Sequence, residues 1–250
     1  MLVVAGMACS SVEVALGNTY YCEDYSWRFS VFRDRVEAGG VLARFISQVL
    51  GAPGDAVVGL AAGGVPVAYA VSRELGLPLD VVVVKKITYP WTTEAGYGAV
   101  APDGLYEFDR EAAMRLGYGR EVVEREASRV YEYVVSRTLK LRGSLDYSWL
   151  AGRSVILVDD GIATGYTMVV AARFMKRVGA REVVVATPTS SIDGAVMVAR
   201  EVDKLLVLNL RGGPFYAVAD AYIEWHDVSD EEAIEYLRMA KEHLKPQTRV

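Results

Sequence analysis

The hydrophobic residues of this chain fall into short runs that alternate with longer segments of helical repeat. Five short runs have the composition of strands buried on both faces: Ala56–Leu60, Val81–Val84, Val155–Val158, Glu182–Ala186 and Leu205–Leu208. Apolar residues recur at helical spacing in five further segments: Arg33–Leu50, Val67–Leu75, Arg110–Leu141 (continuous or broken at Gly117–Gly119), Thr164–Val178 and Ile192–Val202. This alternation predicts right-handed crossovers and an α/β fold with a five-stranded parallel sheet, flanked by helices, that binds ligands at its carboxyl edge.

The segments outside this alternation have weaker patterns. Ser11–Phe32 carries aromatic residues in a mixed order that suits either a hairpin or an irregular cover. Tyr89–Gly104 lacks a helical repeat and predicts a long excursion with room for a short hairpin, and such loops often act as lids. Near the end, Leu210–Trp225 predicts a cap over the sheet edge, and Ser229–Leu244 predicts an amphipathic helix whose first serine is the N-cap.

Composition and charge narrow the function classes. With 250 residues, of which 52% are hydrophobic, the chain can fill the core of one sizeable domain. A net charge of -5 without a long Lys/Arg run provides no electrostatic footprint for nucleic acid. No apolar run approaches a membrane span, and Met1–Ala8 lacks the basic residues that precede a secretory signal. Cys9 and Cys22 are too few for a metal site or a disulfide framework, so a reducing, cytoplasmic compartment is predicted.

The segment Val155–Thr167, VILVDDGIATGYT, joins a buried strand to a predicted phosphate-binding turn. Gly161 and Gly165 allow a tight turn, which directs backbone N–H groups and the positive end of the helix dipole at an anion. A monophosphate is the predicted occupant. Asp159 and Asp160 repel each other and require an outside partner, such as ribose hydroxyls or hydrated Mg2+. A capped helix without a ligand is the alternative, which the adjacent acids disfavour.

A second strand-to-helix turn, AAGGVP, occupies Ala61–Pro66. Its glycines, Gly63 and Gly64, allow a ligand to approach the backbone closely, and the helix start is a second anion site. An ordinary loop has the same features, so this turn indicates an anion site only in combination with the first turn. Lys85 and Lys86 follow the next strand and can offset the charge of such an anion, although strand-end lysines are usually solvated. Two anion sites suit a substrate with an anionic group at each end.

These motifs resemble the signature of type I phosphoribosyltransferases, which bind 5-phosphoribosyl-1-pyrophosphate (PRPP): an apolar strand, two acids and a loop ending Thr-Gly-x-Thr. From about Phe32 onward the chain is also similar to a group of predicted bacterial and archaeal phosphoribosyltransferases, in the pieces FRDRVEAGGVLA, GGVPVAYAV, KKITYPWTTEAGYGAV and FYAVADAYIEWHDVSDEE. The resemblance implies the type I fold with a small hood over the carboxyl edge, PRPP as substrate and Mg2+ as cofactor. It implies no settled acceptor.

The resemblance also implies roles for individual residues. The 5′-phosphate loop would comprise Gly161, Ile162, Ala163, Thr164, Gly165, Tyr166 and Thr167, and the pyrophosphate loop Ala61, Ala62, Gly63 and Gly64. Asp159 and Asp160 would hold the ribose, with Mg2+ near them and no direct protein ligand assured. The cap aromatics Phe215, Tyr216, Tyr222 and Trp225 can stack on a base. Phe215 and Tyr216 are preferred, because they follow a strand as the base-stacking segment of purine phosphoribosyltransferases does.

Two positions depart from the family pattern. Ala62 stands where the group commonly has a basic residue, so pyrophosphate binding would rely on backbone N–H groups, Mg2+, Lys86 or another subunit. Ala163 stands where hypoxanthine-guanine enzymes carry an aspartate base, which disfavours a 6-oxopurine acceptor. Adenine phosphoribosyltransferases also have alanine there and use a mobile-loop glutamate, which makes Glu94 a candidate by analogy. A solvated loop carboxylate is the alternative for Glu94.

We therefore predict a homodimeric, Mg2+-dependent phosphoribosyltransferase that moves the phosphoribosyl group of PRPP to a nitrogen acceptor, with a nucleobase favoured, and releases pyrophosphate. Neither a nucleic acid polymer nor a membrane is a predicted partner. Residues 1–32 would form an N-terminal extension, 33–209 the core, and 210–250 a C-terminal cap and helix. The alternative is a PRPP- or nucleotide-binding regulator without turnover, for which Ala62 is the main argument.

Overall fold

The computed structural model describes residues 9–52, 54–92, 96–213 and 215–243. The strands in this part of the chain are β1 (Val12–Ala15), β2 (Thr19–Cys22), β3 (Ala56–Leu60), β4 (Leu79–Val82), β5 (Lys85–Thr88), β6 (Gly96–Val100), β7 (Tyr106–Phe108), β8 (Ser154–Val158), β9 (Glu182–Ser191) and β10 (Lys204–Arg211). The α-helices are α1 (Arg35–Leu50), α2 (Gly64–Leu75), α3 (Arg110–Arg115), α4 (Arg120–Arg142), α5 (Tyr166–Val178), α6 (Ile192–Ala199) and α7 (Asp230–His243).

The five predicted strands are neighbours in one sheet. Its order is β1-β2-β10-β9-β8-β3-β4, and the contacts between β10, β9, β8, β3 and β4 are all parallel. Every residue of β3 and β8 is buried, as their uninterrupted apolar runs predicted. Helices cover both faces and create two separate apolar layers, one beneath α5 and one beneath α1 and α2. The predicted α/β fold is confirmed, and the carboxyl ends of β3 and β8 lie side by side.

The N-terminal segment extends this sheet beyond the five strands. β1 and β2 form an antiparallel hairpin, and β2 pairs in parallel with β10 through contacts such as Leu205 with Thr19. The hairpin also brings Cys9 beside Cys22, and the two form a disulfide. The prediction that the cysteines are too few for a disulfide framework was wrong in this respect. The β1-β2 hairpin, one of the two possibilities that the mixed aromatic pattern of Ser11–Phe32 allowed, reverses the chain and brings the cysteines together.

A second, three-stranded antiparallel sheet, β5-β6-β7, follows β4. The predicted excursion, Tyr89–Gly104, supplies only the central strand β6, while its partners β5 and β7 lie just outside the predicted bounds. Lys85 and Lys86 begin β5 instead of ending a core strand. The charged helical segment breaks where the glycines predicted it, because Gly117 adopts a φ of +70° and a helix requires negative φ. Helix α4 then packs against β5 and β6.

The C-terminal part returns to the carboxyl edge of the large sheet. Residues after β10 cross this edge, and Ser229 caps α7 by accepting a 3.1 Å hydrogen bond from the backbone N–H of Glu232, as predicted. Leu244, the predicted helix end, lies outside the described residues. Among the described helices, none combines the length and apolar character needed to cross a membrane.

Candidate active site

A cavity of about 550 Å³ opens at the carboxyl ends of β3 and β8, beneath the C-terminal cap. Both predicted anion loops line it, together with the start of β5 and residues of the cap. Its described lining is Arg35, Leu60, Ala61, Ala62, Gly63, Val84, Lys85, Lys86, Arg137, Asp159, Asp160, Gly161, Ile162, Ala163, Thr164, Gly165, Thr167, Met168, Val218, Trp225, Asp227 and Val228. The fold therefore brings most of the sequence-predicted site residues together in one space.

The predicted phosphate loop is fixed to the end of β9. The backbone N–H of Ile162 donates to the carbonyl of Thr189 at 3.0 Å, and the backbone N–H of Ser191 donates to the carbonyl of Ile162 at 2.9 Å. Gly165 directly precedes α5 with a φ of +87°, a conformation that favours glycine. Gly165 and Thr167 both line the cavity. The N-terminus of a 13-residue helix is thus presented to an anion bound in the cavity.

Two residues of the predicted phosphate loop, Ile162 and Tyr166, have side chains that pack away from the cavity. The side chain of Ile162 is buried in the apolar layer beneath α5, so only its backbone can serve a ligand. Tyr166 is not among the described lining residues, because its side chain points to the small sheet. Burial raises the pKa of Tyr166, and its hydrogen-bonded neighbour Asp109 raises it further. The side chain of Tyr166 connects α5 to the segment that follows β7.

Asp159 and Asp160 directly follow β8 and lie in different electrostatic environments. Burial raises the pKa of Asp159 well above its ordinary value of 3.8, and the charge of Asp160 raises it further, while Lys86 opposes the shift. Burial also raises the pKa of Asp160, whereas the charge of Arg35 and its hydrogen bond lower it. The Nε of Arg35 donates to Asp160 Oδ2 at 2.8 Å, with only 6% and 13% of the two side chains exposed. Asp160 has an internal counter-ion, which corrects the prediction that both acids require an outside partner.

Arg35 joins the acids to the cap. Its guanidinium lies 3.8 Å from the centre of the Trp225 ring, and its Nη1 donates to the carbonyl of His226 at 2.9 Å. The hydroxyl of Tyr222 donates to the carbonyl of Asp160 at 2.6 Å. These contacts hold the cap on the turn after β8, and they place Trp225 in the cavity wall.

The AAGGVP turn requires its glycines for a reason other than the predicted one, which was the close approach of a ligand. A Cβ on Gly64 would lie 2.7 Å from the carbonyl oxygen of Val158 and 2.8 Å from the Cα of Asp159. A Cβ on Gly63 would overlap the carboxylate of Asp160. The two glycines are needed because this turn, which includes a cis peptide between Ala61 and Ala62, packs directly on the acids. The predicted pyrophosphate loop and the predicted ribose acids are therefore one contiguous surface.

Beyond Lys86 and Arg35, two further cations line the cavity. Lys85 is exposed at the start of β5, and Arg137 reaches the cavity from α4, where it also pairs with Asp230 at 2.7 Å. Sequence reasoning gave Lys85 only as part of a lysine pair and did not identify Arg137, which is one of many charged residues on an amphipathic helix. Arg35 was likewise unassigned, although it lies in the piece FRDRVEAGGVLA that carried the family resemblance.

The residues preferred for base stacking do not line the cavity. Phe215 is 91% exposed, and the hydroxyl of Tyr216 donates to Thr189 Oγ1 at 3.1 Å while its ring packs against Arg211. Burial raises the pKa of Tyr216 to about 12, so this hydroxyl remains a donor at neutral pH. Trp225 is the cap aromatic that lines the cavity. Glu94, the predicted candidate base, lies outside the described residues.

Taken with the fold, this cavity defines an α/β protein with two glycine-containing turns and paired acids at one sheet edge. The family model of the Phosphoribosyl transferase domain matches residues 35–209, and the chain belongs to this family of transferases. The resemblance found in the sequence is thereby confirmed.

Individual relatives agree with this assignment. The chain is 32% identical over 210 residues to Rv0571c of Mycobacterium tuberculosis (strain ATCC 25618 / H37Rv), which carries the provisional name of a phosphoribosyl transferase. This match covers 84% of the chain and 47% of that protein, so the chain spans about half the length of this curated relative. Among solved structures, TT1426 from Thermus thermophilus is 35% identical with a TM-score of 0.68, over 82% of this chain and 97% of that one.

Proposed function

We propose that the chain is a Mg2+-dependent phosphoribosyltransferase that moves the 5-phosphoribosyl group of PRPP to a nitrogen acceptor, with a nucleobase favoured. In this reaction the bond from C1 of the ribose to the acceptor nitrogen forms, and the bond from C1 to pyrophosphate breaks. The observation that carries the proposal is the shared cavity, in which both glycine-containing turns and Asp159 face one space of about 550 Å³. PRPP carries its phosphate and pyrophosphate on opposite sides of a ribose, which suits this arrangement.

The chain's own groups account for most of the binding. The turn from Gly161 to Thr167 and the N-terminus of α5 would hold the 5′-phosphate, and the AAGGVP turn would hold the pyrophosphate. Lys85 and Arg137 supply positive charge near that turn, which offsets the absence of a basic residue at Ala62. The charge that develops on the leaving pyrophosphate would be stabilised by these cations and by preorganised N–H groups.

A divalent cation suits the acids at this edge. Asp159 lines the cavity, where burial and then the charge of Asp160 raise its pKa, so its ionised form would gain from a nearby cation. Carboxylate oxygens are ligands that Mg2+ prefers. Bound with PRPP, the ion would neutralise charge on the leaving pyrophosphate. Asp159 would face the ion directly or through water, while Asp160 remains bonded to Arg35.

Two further features belong to the proposal. The predicted lid, Tyr89 to Gly104, would exclude water from the activated sugar, with Gly96–Val100 serving as the central strand of the small sheet and not as a free loop. The predicted homodimer is part of the proposal, and light scattering after size exclusion would measure the oligomeric state. The cytoplasmic location also stays a proposal, but the Cys9–Cys22 disulfide removes the cysteine argument for it. A regulator that binds PRPP without turnover is the second candidate, because Ala62 replaces the usual basic residue.

Pyrophosphate release tests the function. The purified chain is incubated with PRPP, Mg2+ and each member of a panel of purine, pyrimidine and pyridine bases, with Asp159→Asn as the inactive control. Release that depends on one base and is absent in the control would support the transferase. PRPP binding without release for any base would favour the regulator. A chain that does not bind PRPP at all would contradict both.

Arg137 should contribute to pyrophosphate binding, and Lys140 provides a matched control. Both side chains bond Asp230, at 2.7 Å and 3.2 Å, but only Arg137 lines the cavity. Arg137→Gln should weaken PRPP binding about tenfold or more, as expected when a charged hydrogen bond is lost. Lys140→Gln should leave it unchanged. Calorimetry with PRPP and Mg2+ measures both, and equal effects would mean that only the contact with α7 matters.

Trp225 should matter more than Phe215 for binding the acceptor ring. Trp225 lines the cavity, whereas Phe215 is 91% exposed and does not. Since stacking on an aromatic side chain contributes about 1–3 kcal/mol per base, Trp225→Ala should weaken AMP binding tenfold or more. Phe215→Ala should have little effect. Titrations with AMP and with PRPP give the comparison, and a larger loss for Phe215→Ala would restore the sequence-based assignment.

A further inference from the structure

A second cleft, of about 810 Å³, lies on the small sheet between the segment after β5 and α4. We call it the aromatic cleft, and its lining includes Tyr89, Trp91, Tyr97, Tyr118, Glu126 and Arg129. It shares no described lining residue with the central cavity. Tyr89, Trp91 and Tyr97 lie in the segment proposed above as a lid, but the proposed transferase reaction places no ligand in this cleft.

The rings of the aromatic cleft form a connected cluster. Tyr89 and Trp91 are stacked with their centres 5.2 Å apart and 17° between their planes. Tyr97 packs against Tyr89 at 5.6 Å and meets the edge of Tyr118 at 6.2 Å. Trp91 is nevertheless 71% exposed, an unusual position for an indole that could be covered. The cleft thus offers both a packed aromatic wall and an open aromatic surface.

Among the described residues, one buried polar group of the aromatic cleft lacks a hydrogen-bond partner. Tyr97 is 1% exposed, and its hydroxyl has no hydrogen-bond partner among the described residues. Buried polar groups are nearly always paired in native proteins, so an unpaired one calls for an explanation. Burial raises the pKa of Tyr97, which therefore stays neutral and can donate as well as accept. Glu126 and Arg129, one turn apart on α4, add an acceptor and a donor at the same cleft.

We infer that the aromatic cleft binds a flat heteroaromatic ring with N–H donors and ring acceptors, as found in a nucleobase or nucleoside. The exposed indole supplies a stacking surface, and Tyr97, Glu126 and Arg129 match a ring edge with donors and acceptors. A simple ammonium ion fits less well, because the charges of Glu126 and Arg129 offset each other and the ion offers no acceptor for Arg129 or Tyr97. The inference stands apart from the proposed transferase activity, because the central cavity that would hold PRPP shares no described lining residue with the aromatic cleft.

Calorimetry on the full chain with adenosine, guanosine, cytidine and uridine tests the inference, with choline as a cationic comparison. At least one nucleoside should bind with one-to-one stoichiometry at this cleft. Trp91→Ala should weaken that binding about tenfold or more. Trp225→Ala is the matched control, since it removes an indole from the central cavity only, and should leave this binding unchanged. Binding that is lost in Trp225→Ala and kept in Trp91→Ala would overturn the inference.

Tyr97→Phe separates a ligand role from a structural one. This variant removes only the unpaired hydroxyl, so its melting temperature should equal or exceed that of the wild type. Nucleoside affinity should fall about five- to tenfold, the effect expected for one lost hydrogen bond. Unchanged affinity in Tyr97→Phe would overturn the inference, as would choline binding where all four nucleosides fail.

Discussion

Replacing Asp159 with asparagine should abolish measurable binding of PRPP with Mg2+ and should also stabilise the free protein. Binding is lost because the amide cannot balance the charge of a divalent cation at the sheet edge. Stability rises because burial and the charge of Asp160 disfavour the ionised Asp159 in the folded state. Asparagine keeps an oxygen that can accept the 2.9 Å hydrogen bond from the backbone N–H of Asp160. The fold should therefore tolerate the change.

The predicted gain in stability of Asp159→Asn depends on pH in a definite direction. Since folding raises the pKa of Asp159 above its ordinary value of 3.8, the wild type loses stability as pH increases above about that value. The melting-temperature advantage of Asp159→Asn should therefore be present at neutral pH and shrink as pH falls toward 4. Asp103→Asn, which alters an exposed ion pair with Arg177, is the control for both assays. A destabilised Asp159→Asn variant that still binds PRPP would contradict the site assignment.

Gly64→Ala should damage both the fold and the site. The added methyl would lie 2.7 Å from the carbonyl oxygen of Val158 and 2.8 Å from the Cα of Asp159, and neither backbone atom can move without displacing β8. Overpacking of this kind costs about 1–3 kcal/mol of unfolding free energy. The forced shift would also separate the AAGGVP turn from the acids, so PRPP affinity should fall below detection even where the variant remains folded.

Gly40→Ala is the matched control for this change. Gly40 lies inside α1, and a Cβ there meets no atom within 4 Å. Alanine in a helix interior is favoured over glycine by about 1 kcal/mol, so this variant should be slightly more stable and bind PRPP normally. Denaturant unfolding and calorimetry measure both variants. A Gly64→Ala variant with unchanged stability and affinity would mean that the turn is not packed on the acids as described.

The parts of this protein that local sequence determines were predictable. Core strands buried on both faces leave uninterrupted apolar runs, which is why β3 and β8 were identified close to their observed bounds. The phosphate turn was also predictable, because the acids, the glycines and the helix start are adjacent in the chain. The helix break before α4 followed from glycines alone.

Features that depend on distant residues were not predictable from local patterns. Arg35 and Asp160 are 125 positions apart, and no periodicity in α1 indicates that its first residue pairs with an acid after β8. The N-terminal hairpin joins the sheet only because β10 offers a free edge. Phe215 and Tyr216 have the right residue types for stacking, but the path of the cap turns them away from the cavity and presents Trp225 instead.

The contacts of Arg35 also constrain when the site can be completed during synthesis. Its guanidinium needs the carbonyl of His226, which lies 191 positions later in the chain. At typical translation rates of about 5–20 residues per second, roughly 10–40 s separate the synthesis of these two residues. A ribosome-bound chain that already contains both glycine-containing turns would still lack Trp225 and the cap that supports Asp160. The ligand binding proposed above would therefore require synthesis to have passed His226.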